Sequence, residues 1–364
     1  MGSFFHTCEQ LACTALLLGM AACDWIHDDT LPPCEFRLHY VYDYNMKFAD
    51  AFQHEVDQVT LFICDQDGNF ISQRIIEGAE LKENNIRLEL EPGEYQLLSW
   101  AGANSDTYEV PQLTPGQSTL KEIRMRTRRG SDGTQPDELH PLWHSLDTLR
   151  ISGTEHEDHT IGLQKNTNKL RFILQNATGK SFDVADFMFR IVADNGYMDY
   201  DNSLLADPAI TYTPYYTENV EIAADPDSAA TVSSQLVAVA EMNTMRLMDG
   251  ENYRLIVRHK DFEDDVLNIN LNNYLLLCKM EGHDISAQEY LDRQDEYSII
   301  FFLTPIECPD CPKPDPDPDD PDKPDPDPDP DPDDPDDPDI PVIGYKCFVI
   351  QVKDWVIRLN EFDL

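Results

Sequence analysis

The chain is poor in positive charge. Its 364 residues carry 27 Lys and Arg against 69 Asp and Glu, a formal net charge of −42. Phosphate backbones are held by Lys and Arg, so this balance argues against a nucleic-acid partner. Attraction to an anionic membrane surface is disfavoured for the same reason. Long apolar runs are missing as well. Beyond residue 22 no stretch reaches the about 20 apolar residues that a membrane-crossing helix needs. The nine cysteines (Cys8, Cys13, Cys23, Cys34, Cys64, Cys278, Cys308, Cys311 and Cys347) are dispersed and do not form a dense disulfide framework. There is no G-x-S-x-G, no Gly-rich phosphate loop and no H-E-x-x-H. The expectation is a chain with no catalysis, no cofactor and no metal. Cys308-x-x-Cys311 has no second such pair to complete the about four ligands of a zinc site, which leaves a disulfide or two idle thiols.

What is present begins with residues Leu11 to Ala22, an apolar run of twelve ending in "GMAAC". The run has the length of a signal-peptide core. Small residues immediately before Cys23 resemble a bacterial lipobox, with Leu18 or Met20 at the apolar position. Residues 1–22 then read as a lipoprotein signal peptide and Cys23 as the acylated first residue of the mature chain. The absence of Lys and Arg from the first ten residues departs from that pattern. Each buried acyl CH₂ contributes about 0.8 kcal/mol, so several chains, palmitate among them, give durable anchoring. Asp24, Asp28 and Asp29 follow closely, an acidic stretch that resembles a surface-export signal of Bacteroidetes lipoproteins.

The mature chain reads as β. "FRLHYVYDY" from Phe36 alternates large apolar and polar residues, as a half-buried strand does. "VDQVTLFICD" and "FISQRII" flank Asp67-Gly68, a hairpin signal. "NIRLELEPGEYQLLSW" turns at Pro92-Gly93, and "STLKEIRMRT" from Ser118 continues the alternation. Asp249-Gly250 separates two further β-capable runs, and "SAQEYLDRQDEY" is the best helix candidate. Frequent turns between short strands point to sandwiches. The expected divisions are an N-terminal β-sandwich over 23–145 and a C-terminal one over 146–308. "EHEDH" (Glu155 to His159) reads as a solvated acidic turn rather than a metal site. Tyr212, Tyr215 and Tyr216 read as core or loop packing, with a sugar platform as the alternative.

Residues 309–341 are almost entirely Asp and Pro; between Asp310 and Asp339 stand 15 Asp and 2 Lys. Such a segment buries no apolar area to offset ordering entropy and reads as a disordered spacer. A calcium loop is disfavoured because the Gly turn and bidentate Glu of an EF-type site are absent. Extended, the segment reaches roughly 100 Å. Residues 342–364 then regain strand character. Phe348, Ile350, Val352, Trp355 and Ile357 form an apolar series that has to dock into a sheet, either the chain's own or a neighbour's.

The segments "FICDQDGNF", "LEPGEYQLLSWAG", "LQKNTNKLRFIL", "MNTMRLM", "EYLDRQDEYSIIFFL" and "KDWVIRL", in that order, resemble the fimbrillin-A associated anchor proteins of Bacteroidales. The resemblance spans roughly Cys23 to Arg358 without the Asp/Pro spacer. It implies an all-β fold of two tandem transthyretin-like sandwich domains on an outer-membrane lipoprotein exposed at the surface. It also implies a structural role at the base of a fimbria, holding fimbrillin subunits by strand addition, with a host or bacterial surface ligand as a further partner. The alternative reading is a surface glycan-binding lipoprotein of a polysaccharide-uptake system.

Overall fold

A computed structural model of the protein describes residues 35–153, 156–223, 234–277, 279, 284–308, 341–352 and 355–358. Residues 1–22, expected to be a signal peptide, Cys23 and nearly all of the Asp/Pro segment lie outside these residues. The first half contributes β1 (Glu35–Val41), α1 (Phe52–Glu55), β2 (Gln58–Asp65), β3 (Phe70–Glu77), α2 (Gly78–Glu83), β4 (Ile86–Leu88) and β5 (Gly93–Ala101). Three short strands follow, β6 (Tyr108–Glu109), β7 (Met125–Thr127) and β8 (Thr134–Gln135), and then β9 (Trp143–Ile151), β10 (His156–Gly162) and β11 (Gln164–Lys165). β1 sits between β10 and β4, while a five-stranded sheet runs β11-β9-β5-β2-β3.

The alternation along β1 sends Phe36, Leu38 and Tyr40 inward, where they pack between the two sheets with Val59, Leu61, Ile63 and Leu97. β2 is instead buried at six consecutive positions. Its other face, with Phe62 and Cys64, joins a second core that includes Leu98, Trp100, Phe172 and Phe301. A sheet covered on both faces needs apolar residues at successive positions, hence the unbroken "VTLFIC". The β2–β3 hairpin closes where Gly68 takes φ +81°. Asp65 Oδ1 accepts the backbone N–H of Asp67 and of Asn69 across that turn.

The second half comprises β12 (Thr167–Asn176), β13 (Phe187–Ala193), β14 (Tyr197–Met198), β15 (Ile210–Tyr212), β16 (Tyr216–Ile222), β17 (Gln235–Met245), β18 (Arg254–His259) and β19 (Asp265–Asn270). Helices α3 (Leu271–Leu277) and α4 (Ala287–Arg293) precede β20 (Glu296–Glu307), β21 (Val342–Val352) and β22 (Trp355–Arg358). Six strands form the sheet β16-β17-β12-β20-β21-β22, which faces the sheet β19-β18-β13-β15-β8. Between them lie Leu170, Phe172, Ile191, Leu255, Val257 and Phe301. The architecture is all-β, in two sandwiches.

Three local features differ from the sequence expectation. Residue 145 lies inside β9, which pairs with β5, and β10 pairs in parallel with β1, so the chain enters the six-stranded sheet of the second half only at Thr167. Conversely, β8 leaves the first half to pair with β15. "EHEDH" is no turn: from His156 onward it is strand, because β1 offers a free edge for parallel pairing. The alternation after Ser118 is interrupted by a 3-10 turn over Leu120–Glu122, where Thr119 and Glu122 form a capping box that outweighs the strand pattern.

Candidate subunit-docking site

The candidate site is the C-terminal hairpin. β21 runs antiparallel to β20, from Ile299↔Val352 to Glu307↔Val342, with irregularities after Phe302 and Ile306. Ile350 and Val352 are buried in the second sandwich, as is Cys347 between them and the start of the strand. Burial pushes the Cys347 thiol up to about 12, so it packs as a small apolar group. Phe348 is half-buried and stands at the irregularity, because Phe302 pairs with Val349 and Leu303 with Cys347. β22 returns along β21, placing Trp355 opposite Val352 and Ile357 opposite Ile350. The five apolar residues of the tail thus fall on one hairpin, although Phe348 does not share the inward face of Ile350 and Val352.

One residue carries more of this hairpin's attachment than the apolar pattern suggests. Tyr345 inserts among Phe182, His259 and Phe262, with ring centroids 5.3, 5.4 and 5.8 Å away, and Phe187 lies 6.2 Å away. His259 stacks on Phe262 at 4.6 Å. Burial lowers the His259 pKa and raises that of Tyr345, so both are neutral at pH 7. The cluster joins β21 to β13 and β18 of the facing sheet, tying the two layers together. Its members come from three stretches more than 70 residues apart in the chain, so no local periodicity reveals it.

The Asp/Pro segment enters and leaves at one place. The backbone N–H of Cys308 donates to the Pro341 carbonyl at 3.0 Å, continuing the β20–β21 ladder to the point where the described residues stop. Cys308 is disulfide-bonded, and its partner lies outside the described residues. The candidate lipidation residue Cys23 also lies outside them. The sheet retains outer edges at β22 and β16; β16 is exposed or half-exposed throughout, and both are paired on one side only among the described residues. Such edges can take up another strand. No group of three or more His, Cys, Asp or Glu among the described residues has metal-binding geometry.

Comparison with known families settles the kind of protein. The family model of the fimbrillin-A associated anchor proteins Mfa1 and Mfa2 matches residues 31–361. The chain belongs to that family. Membership makes it a fimbria-associated structural protein of the cell surface or envelope. A solved structure from Bacteroides thetaiotaomicron, provisionally described as polysaccharide-binding, is 32% identical with a TM-score of 0.70, over 91% of this chain and 100% of that one. Another from the same organism, provisionally described as an adhesin, is 30% identical with a TM-score of 0.71 over the same shares. The fimbrial anchor protein Mfa2 from Porphyromonas gingivalis shares the fold at 15% identity and a TM-score of 0.61, covering 90% of this chain and 100% of that one. No curated protein matches the chain.

Proposed function

We propose that this family member is the lipid-anchored base of a fimbria. Cys23, acylated after removal of residues 1–22, holds the protein in the outer membrane, and the two sandwiches stand outside as the seat of the first fimbrillin subunit. The reading is carried by the match of an anchor-protein family to nearly the whole mature chain. The lipobox-like "GMAAC" supplies the membrane attachment that such a role requires. Fimbrillin joins by strand addition at the C-terminal hairpin, whose outer strand, β22, has β21 as its one pairing neighbour among the described residues. No step in this role requires catalysis.

The test is surface labelling and fractionation of cells carrying wild type or Cys23→Ala, with electron microscopy of their fimbriae. Wild type is expected on the outer membrane, and Cys23→Ala is expected to release both the protein and shed fimbriae into the medium. Retention of Cys23→Ala in the outer membrane fraction would remove the lipid anchor from the proposal. Normal fimbriae in cells lacking the whole protein would remove the fimbrial role.

A further inference from the structure

The outer face of the six-stranded sheet carries a groove of about 400 Å³, within the usual size range of small-ligand sites. Two cross-strand rows run through it, and Arg171, Glu241, Ser298, Lys169 and Glu296 of those rows line it. In the first, Tyr216 of β16 lies opposite Glu241 of β17, Glu241 opposite Arg171 of β12, and Arg171 opposite Ser298 of β20. In the second, Lys169 stands between Asn243 and Glu296. Tyr215 lines the groove beside the first row.

The polar groups are already set against one another. Arg171 Nη1 donates to Glu241 at 2.8 Å, and Nη2 reaches Glu218 at 3.5 Å. The Tyr215 hydroxyl donates to Glu241 at 3.2 Å, and that of Tyr216 to Glu218 at 2.9 Å. Lys169 Nζ donates to Glu138 at 3.1 Å. Burial and then Glu241 push the Tyr215 hydroxyl up to about 12, which keeps it a donor. Each carboxylate has acceptor capacity to spare, and an ammonium or guanidinium group has further N–H donors.

We propose that this groove binds a neutral oligosaccharide. Alternating donors and acceptors across three strands match the vicinal hydroxyls of a sugar ring, each of which both donates and accepts. Tyr215, which lines the groove, supplies the apolar face on which a ring can lie. An extended peptide fits less well. The groove lies on the face of the sheet, and β17, β12 and β20 each have strands on both sides, so no backbone edge is open there. An acidic glycan is disfavoured by the net charge of −42 and by cations that already face carboxylates.

The experiment is saturation-transfer NMR and titration calorimetry of the full mature chain with maltohexaose, cellohexaose, mannohexaose and, as the acidic comparison, a galacturonic acid hexamer. At least one neutral hexamer is expected to bind, and the acidic one to bind more weakly. Glu241→Gln, which keeps the shape of the side chain, is expected to weaken binding about tenfold, the loss of one charge-assisted contact. Ser298→Trp, at an exposed position, fills the groove without removing an internal partner and is expected to abolish binding. Circular dichroism confirms the folding of both variants, and Ser298→Trp alone decides if Glu241→Gln fails to fold. Failure of every neutral hexamer, tighter binding of the acidic one, or unchanged binding to Ser298→Trp overturns the proposal. Fimbriation is scored separately, since the groove contains neither Cys23 nor the C-terminal hairpin.

Discussion

His144 shows how a single residue makes the fold sensitive to acid. Its ring is buried edge-on to Trp100 at 4.7 Å, and its Nε2 lies 2.9 Å from the Tyr200 carbonyl, to which it donates. Burial lowers its pKa to about 4, against a partly offsetting contribution from the Tyr200 hydrogen bond. The folded state therefore resists protonation while the unfolded chain takes up a proton near the ordinary value of about 6.5. Stability from this site is complete above pH 6.5 and falls as pH drops toward 4, by up to about 3 kcal/mol. Urea midpoints measured from pH 7 to pH 4 are expected to decline across that window. His144→Gln is expected to flatten the decline, and an unchanged slope in that variant would place the acid sensitivity elsewhere. Neighbouring sequence offers no sign of this burial, because the polar pair His144-Ser145 reads as a surface, yet both are buried and His144 reaches Tyr200 in the second half of the chain.

Among the elements, the C-terminal strand is the one whose removal has the sharpest expected outcome. Truncating Ile350 to Ala leaves a cavity in the second sandwich and is expected to cost about 3 kcal/mol. Tyr345→Ala removes the ring that joins β21 to Phe182, His259 and Phe262, and an effect of similar size is expected. Chemical denaturation of both variants checks this. Midpoints within experimental error of wild type would mean that β21 is held weakly enough to exchange freely with a partner's strand. The strand itself was legible, because its apolar series is local. So were β1, the β2–β3 hairpin around Gly68, and α4, where the Ser286 hydroxyl accepts the Glu289 N–H as an N-cap. The parallel pairing of β1 with β10 and the entry of β8 into the distant sheet were not, since both join strands through contacts remote in sequence. The groove was legible only in part. Tyr212, Tyr215 and Tyr216 stand out together in the sequence, but Tyr212 is buried in the core and only Tyr215 lines the groove, while Arg171, Glu241 and Ser298 meet only through sheet register.

At the scale of the whole molecule, Lys165 sits where the chain passes from one sandwich to the other. Its Nζ lies 2.9 Å from Glu55 in the first half and 2.6 Å from Asp295 in the second, and 5.2 Å from the centre of the Trp143 ring. Burial opposes its charge, but Asp295 and Glu55 outweigh that and raise its pKa. Lys165→Met leaves two carboxylates facing one another without a cation. It is expected to cost about 2 kcal/mol, part of a buried pair's usual penalty because both acids remain partly exposed. Calorimetry is expected to show a lower transition temperature, and an unchanged one would mean that the apolar contacts between the halves suffice.

Any pull on the chain upstream of Glu35 enters the fold through β1. That strand is held along seven register pairs to β10 and three to β4, with hydrogen bonds across its axis. A force along the strand loads these bonds in shear, together, instead of opening them one after another like a zip. Since mechanical failure follows the unfolding rate rather than equilibrium stability, the first strand serves as a brake on detachment that a thermal melt does not measure.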